Sequence, residues 1–142
     1  IIRSGLVFGP EDAFINHIAM MLALNPLFFL MSGKGEVILN PIYIDDLVDG
    51  IYKLTQSDLE GAANIGTGEY VTVNHLVETI IAISGKDLSI HHVEGPVGVL
   101  ARNFSKERMR SIGWQATTSL RDGMERTYAW VAEQVGNSGG AR

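Results

Sequence analysis

Four histidines, four tyrosines and two short glycine turns are the places where this sequence could do chemistry. A tyrosine followed four residues later by lysine would set a phenol and an ammonium on one helix face, easing loss of the phenolic proton. None of Tyr43, Tyr52, Tyr70 and Tyr128 has that lysine. His91 and His92 are adjacent, so in a strand they point to opposite faces and cannot share a metal; with His17 and His75 they read as surface or satisfied core residues. The chain has no cysteine, which excludes a disulfide framework, a thiol nucleophile and a thiolate metal site. No Gly-x-Ser-x-Gly turn presents a serine for acyl transfer. Gly33-Lys34-Gly35 and Gly66-Thr67-Gly68 are the only glycine turns that could approach a phosphate. Each lacks the third glycine of the dinucleotide fingerprint and a long helix directly after it, so chain reversal is the expected role.

The elements that would position these groups are those of one ordinary domain. The 142 residues are 46% apolar and 19% charged, enough to build a core. A formal charge of -5 argues against nucleic acid, which needs clustered Lys and Arg. The apolar stretch from Ile18 to Met31 is interrupted by Asn25 and Pro26, and a bilayer requires about 20 unbroken apolar residues. It is therefore expected to be a buried helix followed by a strand or loop, with no membrane contact. Composition fits a cytoplasmic protein, and the opening inside an apolar run at Ile1 leads us to expect further polypeptide upstream.

Ile1 to Phe8 is rich in β-branched residues and runs into Gly9-Pro10, as a buried strand would. Glu11 and Asp12 open a helix with Phe14, Ile15, Ile18, Met21 and Leu22 at helical spacing. Val37 to Ile44 predicts one or two short strands broken at Pro41, and Asp45 and Asp46 are placed to cap the next helix. Ala62 to Ile65 is a short strand; Thr72 caps a helix that Gly85 stops. Ser89 to Val93 reads as an edge strand, Ser105 as the cap of a short helix ending at Gly113, and Ser119 with Asp122 as a capping box for a last helix. Helices alternating with short strands make the class α/β or α+β.

Several segments, in order, resemble the second half of extended short-chain dehydrogenases of the NAD-dependent epimerase/dehydratase family. Arg3-Ser4-Gly5-Leu6-Val7-Phe8-Gly9-Pro10 is similar to the family's Arg-x-x-Asn-Val-Tyr-Gly-Pro strand and turn. Tyr43-Ile44-Asp45-Asp46 resembles its aromatic-Val-Asp-Asp segment, and Asn64-Ile65-Gly66 its Asn-Ile-Gly strand. Ile112-Gly113-Trp114 and Ser119-Leu120-Arg121-Asp122-Gly123 resemble its ending. Ile90 to Val99 with Arg102 and Asn103 is similar to a stretch of the GDP-mannose 3,5-epimerase branch. Gly9-Pro10-Glu11-Asp12-Ala13-Phe14 resembles another branch, which includes a non-catalytic accessory subunit of respiratory complex I.

The resemblance implies an α/β fold, the carboxy-terminal portion of an extended Rossmann-type structure with short strands and four to five helices. Residues 1–135 would be the substrate-binding part and 136–142 a disordered tail. It implies that the parent protein binds NAD or NADP on an amino-terminal half, that no cofactor binds this chain alone, and that the partners are a nucleotide sugar and the missing half. Without that half, homo-oligomer formation or strand exchange is expected. Arg102 would grip the diphosphate through its planar fork of donors, with Asn103 beside it and Asn40 near the phosphate- and base-contacting strand. For Asn40 a turn role is an equal alternative, and Asn64 is expected to complete strand or turn hydrogen bonds. No catalytic residue and no metal ligand is expected.

Departures bear on competence. Leu6 stands where the family commonly has Asn, Leu39 where many members have Arg, and Ser105 where an acidic residue is common, while the segment between Pro10 and Gly33 is short. The alternative reading is a binding or structural module that kept the fold and lost the chemistry.

Overall fold

The computed structural model of the chain describes residues 1–24, 27–95 and 105–139. The opening apolar run forms two strands rather than one, β1 (Ile2–Ser4) and β2 (Leu6–Phe8). They part at Gly5, where an added Cβ would lie 2.0 Å from the Asn40 carbonyl oxygen, so a side chain there would force two backbones apart. The two halves then pair with different partners. β1 runs parallel to β6 (Ala63–Ile65) and β2 parallel to β5 (Pro41–Tyr43).

Asp12 starts α1 (Phe14–Leu24) by accepting the Ile15 amide at 2.7 Å, so the helix begins two residues later than the acidic pair suggests. After α1, β3 (Phe28–Ser32) inserts Phe29 and Met31 into the core and leaves Leu30 exposed, the period-two pattern of a half-buried strand. β4 (Ile38–Leu39) precedes β5, and the break between them falls at Asn40, with Pro41 opening the second strand. α2 (Ile44–Thr55) follows, then β6, β7 (Val71–Thr72), α3 (Val73–Ser84), β8 (Ser89–Val93), α4 (Glu107–Ser111) and α5 (Leu120–Gly139). β3 and β8 are parallel, while β4 and β7 are antiparallel. The architecture is α/β, with five helices and short, mostly parallel strands among the described residues.

Thr72 caps α3 through the His75 amide at 3.1 Å, and Gly85 ends it in the left-handed region at φ 67°, both as expected. Ser119 accepts the Asp122 amide at 3.1 Å and donates to its carboxylate at 2.7 Å, a variant of the expected capping box. Two expected caps are corrected. The residue preceding α2 is Tyr43, without a side-chain cap, and Asp46 instead accepts from the Thr117 amide and hydroxyl and the Thr118 amide, at 3.1, 3.0 and 2.9 Å. A carboxylate one turn into a helix cannot fold back to the first amides when buried facing another loop. Ser105 does not cap α4 either: Lys106 is the residue preceding the helix, and the Ser105 carbonyl receives the Asn64 side-chain amide at 3.1 Å. α5 continues through Gly139, past Gly136 where the polar tail was expected to start.

Adjacent residues of β5 feed two separate cores, because successive side chains leave a strand on opposite faces. Tyr43 joins a larger cluster in which α1, α3 and α5 pack together, with Phe8, Ile15, Leu22, Leu76, Ile80 and Met124 at its centre. Ile42 joins a smaller one with Ala63, Ile65, Met109 and Trp114, covered by α2 and α4. No helix among the described residues is long and apolar enough to cross a membrane.

Candidate functional site

A cleft of about 480 Å³ opens where α1, β3 and the start of α3 meet. Phe14, Met21, Phe29, Leu30, Met31, Val73 and Val77 make its walls, and His17 and Ser32 bring polar atoms to it. The sequence explains the shape. Phe14, His17, Ile18 and Met21 recur at three- and four-residue spacing and so share one face of α1, while β3 turns alternate residues to either side. Phe14 is 37% exposed and Leu30 46% exposed, so large apolar surface is left in contact with water. Cavities of this size with mainly apolar walls and a few polar groups are the usual form of small-molecule sites.

The rim is fixed by the end of β8. The Gly33 amide donates to the Val93 carbonyl at 2.9 Å, and His92 Nδ1 is 2.9 Å from the Gly33 carbonyl. Gly95 approaches Ser32 so closely that a Cβ on it would lie 2.1 Å from the serine hydroxyl oxygen. Gly95 thus sits at the cleft edge, and Ser105 is held elsewhere through its carbonyl, which receives the Asn64 side-chain amide. Arg102 and Asn103 lie outside the described residues, as do residues 96–99 of the segment similar to the GDP-mannose 3,5-epimerase branch.

Asn40 is placed elsewhere. It is 5% exposed, and its amide nitrogen donates to the Thr67 and Glu69 carbonyls at 3.1 and 2.6 Å and lies 3.3 Å from the Thr67 hydroxyl. Glu69 in turn accepts the Leu120 amide at 2.8 Å, tying the same turn to the start of α5. Leu39 packs against the larger core, and Leu6 is half-buried in β2.

Neither glycine turn is built to cradle a dinucleotide. After Gly66-Thr67-Gly68 comes the strand β7 rather than a helix start, and after Gly33-Lys34-Gly35 comes β4, so no row of free helix amides faces a pyrophosphate. The histidines are accounted for locally: His91 Nε2 meets the Ser89 hydroxyl at 3.0 Å, and its ring is tilted on Phe28. Among the described residues there is no group of three or more His, Asp or Glu side chains that could hold a metal ion. Reading the sequence alone missed Ser32, Phe14 and Gly95 as parts of one site. The available signals were the alternation in residues 28–32 and the Gly95-Pro96 pair, but nothing local says that these segments meet.

No protein-family model matches the chain. Over 108 residues, 75% of its length, it is 38% identical to GDP-mannose 3,5-epimerase 1 of Oryza sativa and spans 29% of that protein. It is 36% identical over 108 residues to GDP-mannose 3,5-epimerase of Arabidopsis thaliana, again covering 29% of its length. Among solved structures, UDP-glucose 4-epimerase of Thermotoga maritima with UDP-glucose is similar over 94% of the chain and 46% of its own, with a TM-score of 0.84 and 25% identity. The fold is shared also with dTDP-glucose 4,6-dehydratase of Bacillus anthracis, at a TM-score of 0.83 over 93% of this chain and 44% of that one, with 21% identity.

Proposed function

Because the chain belongs to the NAD-dependent epimerase/dehydratase family of extended short-chain dehydrogenases, we propose that it is the jaw that holds a nucleotide sugar in such an enzyme. The observation that carries the proposal is the apolar cleft with Gly95 set against Ser32 at its edge. In this reading a flat base enters between Phe14 and Leu30, and the sequence resemblance assigns the diphosphate to Arg102 and Asn103. Planar guanidinium suits phosphate oxygens, and apolar walls suit a base.

NAD or NADP supplies transient oxidation of a sugar carbon when bound to the parent protein. In this reading the cofactor belongs to the rest of the parent protein, and the residues of this chain bind and orient substrate without turning it over alone. β1 pairs on one side only, with β6, and Ile1 and Ile2 are 84% and 41% exposed. That edge is where the remainder of the parent sheet docks, and without it the chain pairs with a second copy. Asn40 acts in this scheme as a turn lock rather than a ligand.

The test is titration of the chain with GDP and UDP and their sugars, followed by saturation transfer from base protons to the methyl groups of Leu30, Met31 and Val77. We expect a raised unfolding temperature, cleft-localised transfer and loss of both in Arg102→Ala. Binding that leaves those methyls untouched refutes the placement, and absence of binding by every nucleotide refutes the function. Leu6, whose side chain can neither donate nor accept, and Leu39, used for packing, favour a second reading in which the parent kept the fold as a non-catalytic module. Turnover of a nucleotide sugar by the full-length protein would exclude it.

A further inference from the structure

Against the Gly66–Gly68 turn lies a second, smaller cavity of about 140 Å³, lined also by Met109, Trp114, Lys106, Arg110 and Gln115. It shares no lining residue with the nucleotide cleft. Lys106 and Arg110 are four residues apart on one helical face, so two positive charges are brought together, an arrangement that repels when nothing lies between them. Neither has a carboxylate partner: among the described residues the one ion pair is Arg121 with Glu125. Lys106 is half-buried and held in place, donating to the Thr67 carbonyl and lying 5.2 Å from the centre of the Tyr70 ring. Lys106 is thus a fixed, partly desolvated ammonium without a counter-charge, and the exposed guanidinium of Arg110 has no hydrogen-bond partner among the described residues, so both charges are free to act on an anion in the cavity. The cavity between them has room for several water molecules, and therefore for a tetrahedral oxyanion.

We propose that this cavity is an anion site, in which Lys106 and Arg110 bind a single phosphate group, free or as a phosphate monoester, with Gln115 donating from the rim. Lys106 supplies charge from a preset position, and Arg110 supplies the directed fork of donors. Gly68 leaves the approach open, since even an added Cβ there would stop 3.9 Å from the lysine nitrogen. The site is independent of the nucleotide reading, because the two share no residue.

Inorganic phosphate is titrated into the chain at constant ionic strength while the amide resonances of Gly66, Gly68 and Gln115 are followed. We expect saturable shifts at those three positions, absent with chloride, and weakened roughly tenfold or more in Arg110→Ala, as loss of a charge-assisted pair predicts. Arg110 is exposed, so the variant keeps its fold, and Arg110→Lys should recover part of the affinity. A hexose phosphate run in parallel identifies the source: tighter binding than phosphate marks a monoester site, and equal or weaker binding marks one for the free ion. Shifts that do not saturate, that chloride reproduces, or that persist unchanged in Arg110→Ala overturn the proposal. Cleft resonances such as Ser32 report separately on nucleotides, so failure of one site is distinguishable from failure of the other.

Discussion

The two glycine turns are locked by the same device in different surroundings. In each, an asparagine from another element donates to the carbonyl of the middle residue, Asn40 to Thr67 at 3.1 Å and Asn74 to Lys34 at 3.0 Å. In each, the asparagine's side-chain oxygen is buried without a partner and presses on a glycine. A Cβ would lie 2.3 Å from that oxygen at Gly66 and 2.1 Å at Gly35. The difference is solvent and redundancy. Asn40 is buried and holds two carbonyls, whereas the Asn74 bond to Lys34 is exposed, and water can replace it. One glycine motif is thus part of the interior and the other is a surface reversal, although the sequences look alike.

That contrast can be broken by substitution. Asn40→Ala should be the most damaging change, leaving the Glu69 carbonyl only the Thr67 hydroxyl at 3.4 Å and the Thr67 carbonyl only Lys106, and costing about 3 kcal/mol in chemical denaturation. If it costs no more than Asn74→Ala, the distinction between the turns is wrong. Asp46→Ala, which strips a buried carboxylate from the Thr117–Thr118 loop, should cost about 2.5 kcal/mol and lower amide protection at the start of α5. Gly66→Ala should cost about 2 kcal/mol by overpacking, and combining it with Asn40→Ala should be less than additive by about 1 kcal/mol, because the shorter side chain makes room. Gly35→Ala should cost about 1.5 kcal/mol, mostly from its left-handed backbone at φ 66°, since Asn74 and Met31 are side chains that can yield. Asn74→Ala should be the mildest, at about 0.5 kcal/mol, and a larger loss would show that the exposed bond is not replaced by water.

Local signals served well where one residue type answers one local need. Thr72, Gly85 and Ser119 with Asp122 satisfy helix-end groups within a few residues, so their roles were legible in the sequence. They failed where a partner comes from far along the chain. Asp46 looks like a cap but is claimed by residues 117 and 118, and Ser105 looks like a cap but is claimed through its backbone by Asn64. The fold class could be read because alternating helices and short strands are a local pattern. The division of residues 1–8 could not, since it follows from the backbone passing against Asn40. Of the candidate site, Arg102 and Asn103 remain motif-based assignments, Asn40 is engaged in a turn, and the cleft itself arises only when the start of α3 comes against α1 and β3.

The split at Gly5 also bears on how the domain comes apart. One eight-residue ribbon is stitched first to β6 and then to β5, which serve the smaller and, through Tyr43, the larger core. Peeling that ribbon away would unzip both pairings in succession, so slow amide exchange in Ile65 and Tyr43 should vanish together. Two cores joined by such a seam behave as one cooperative unit.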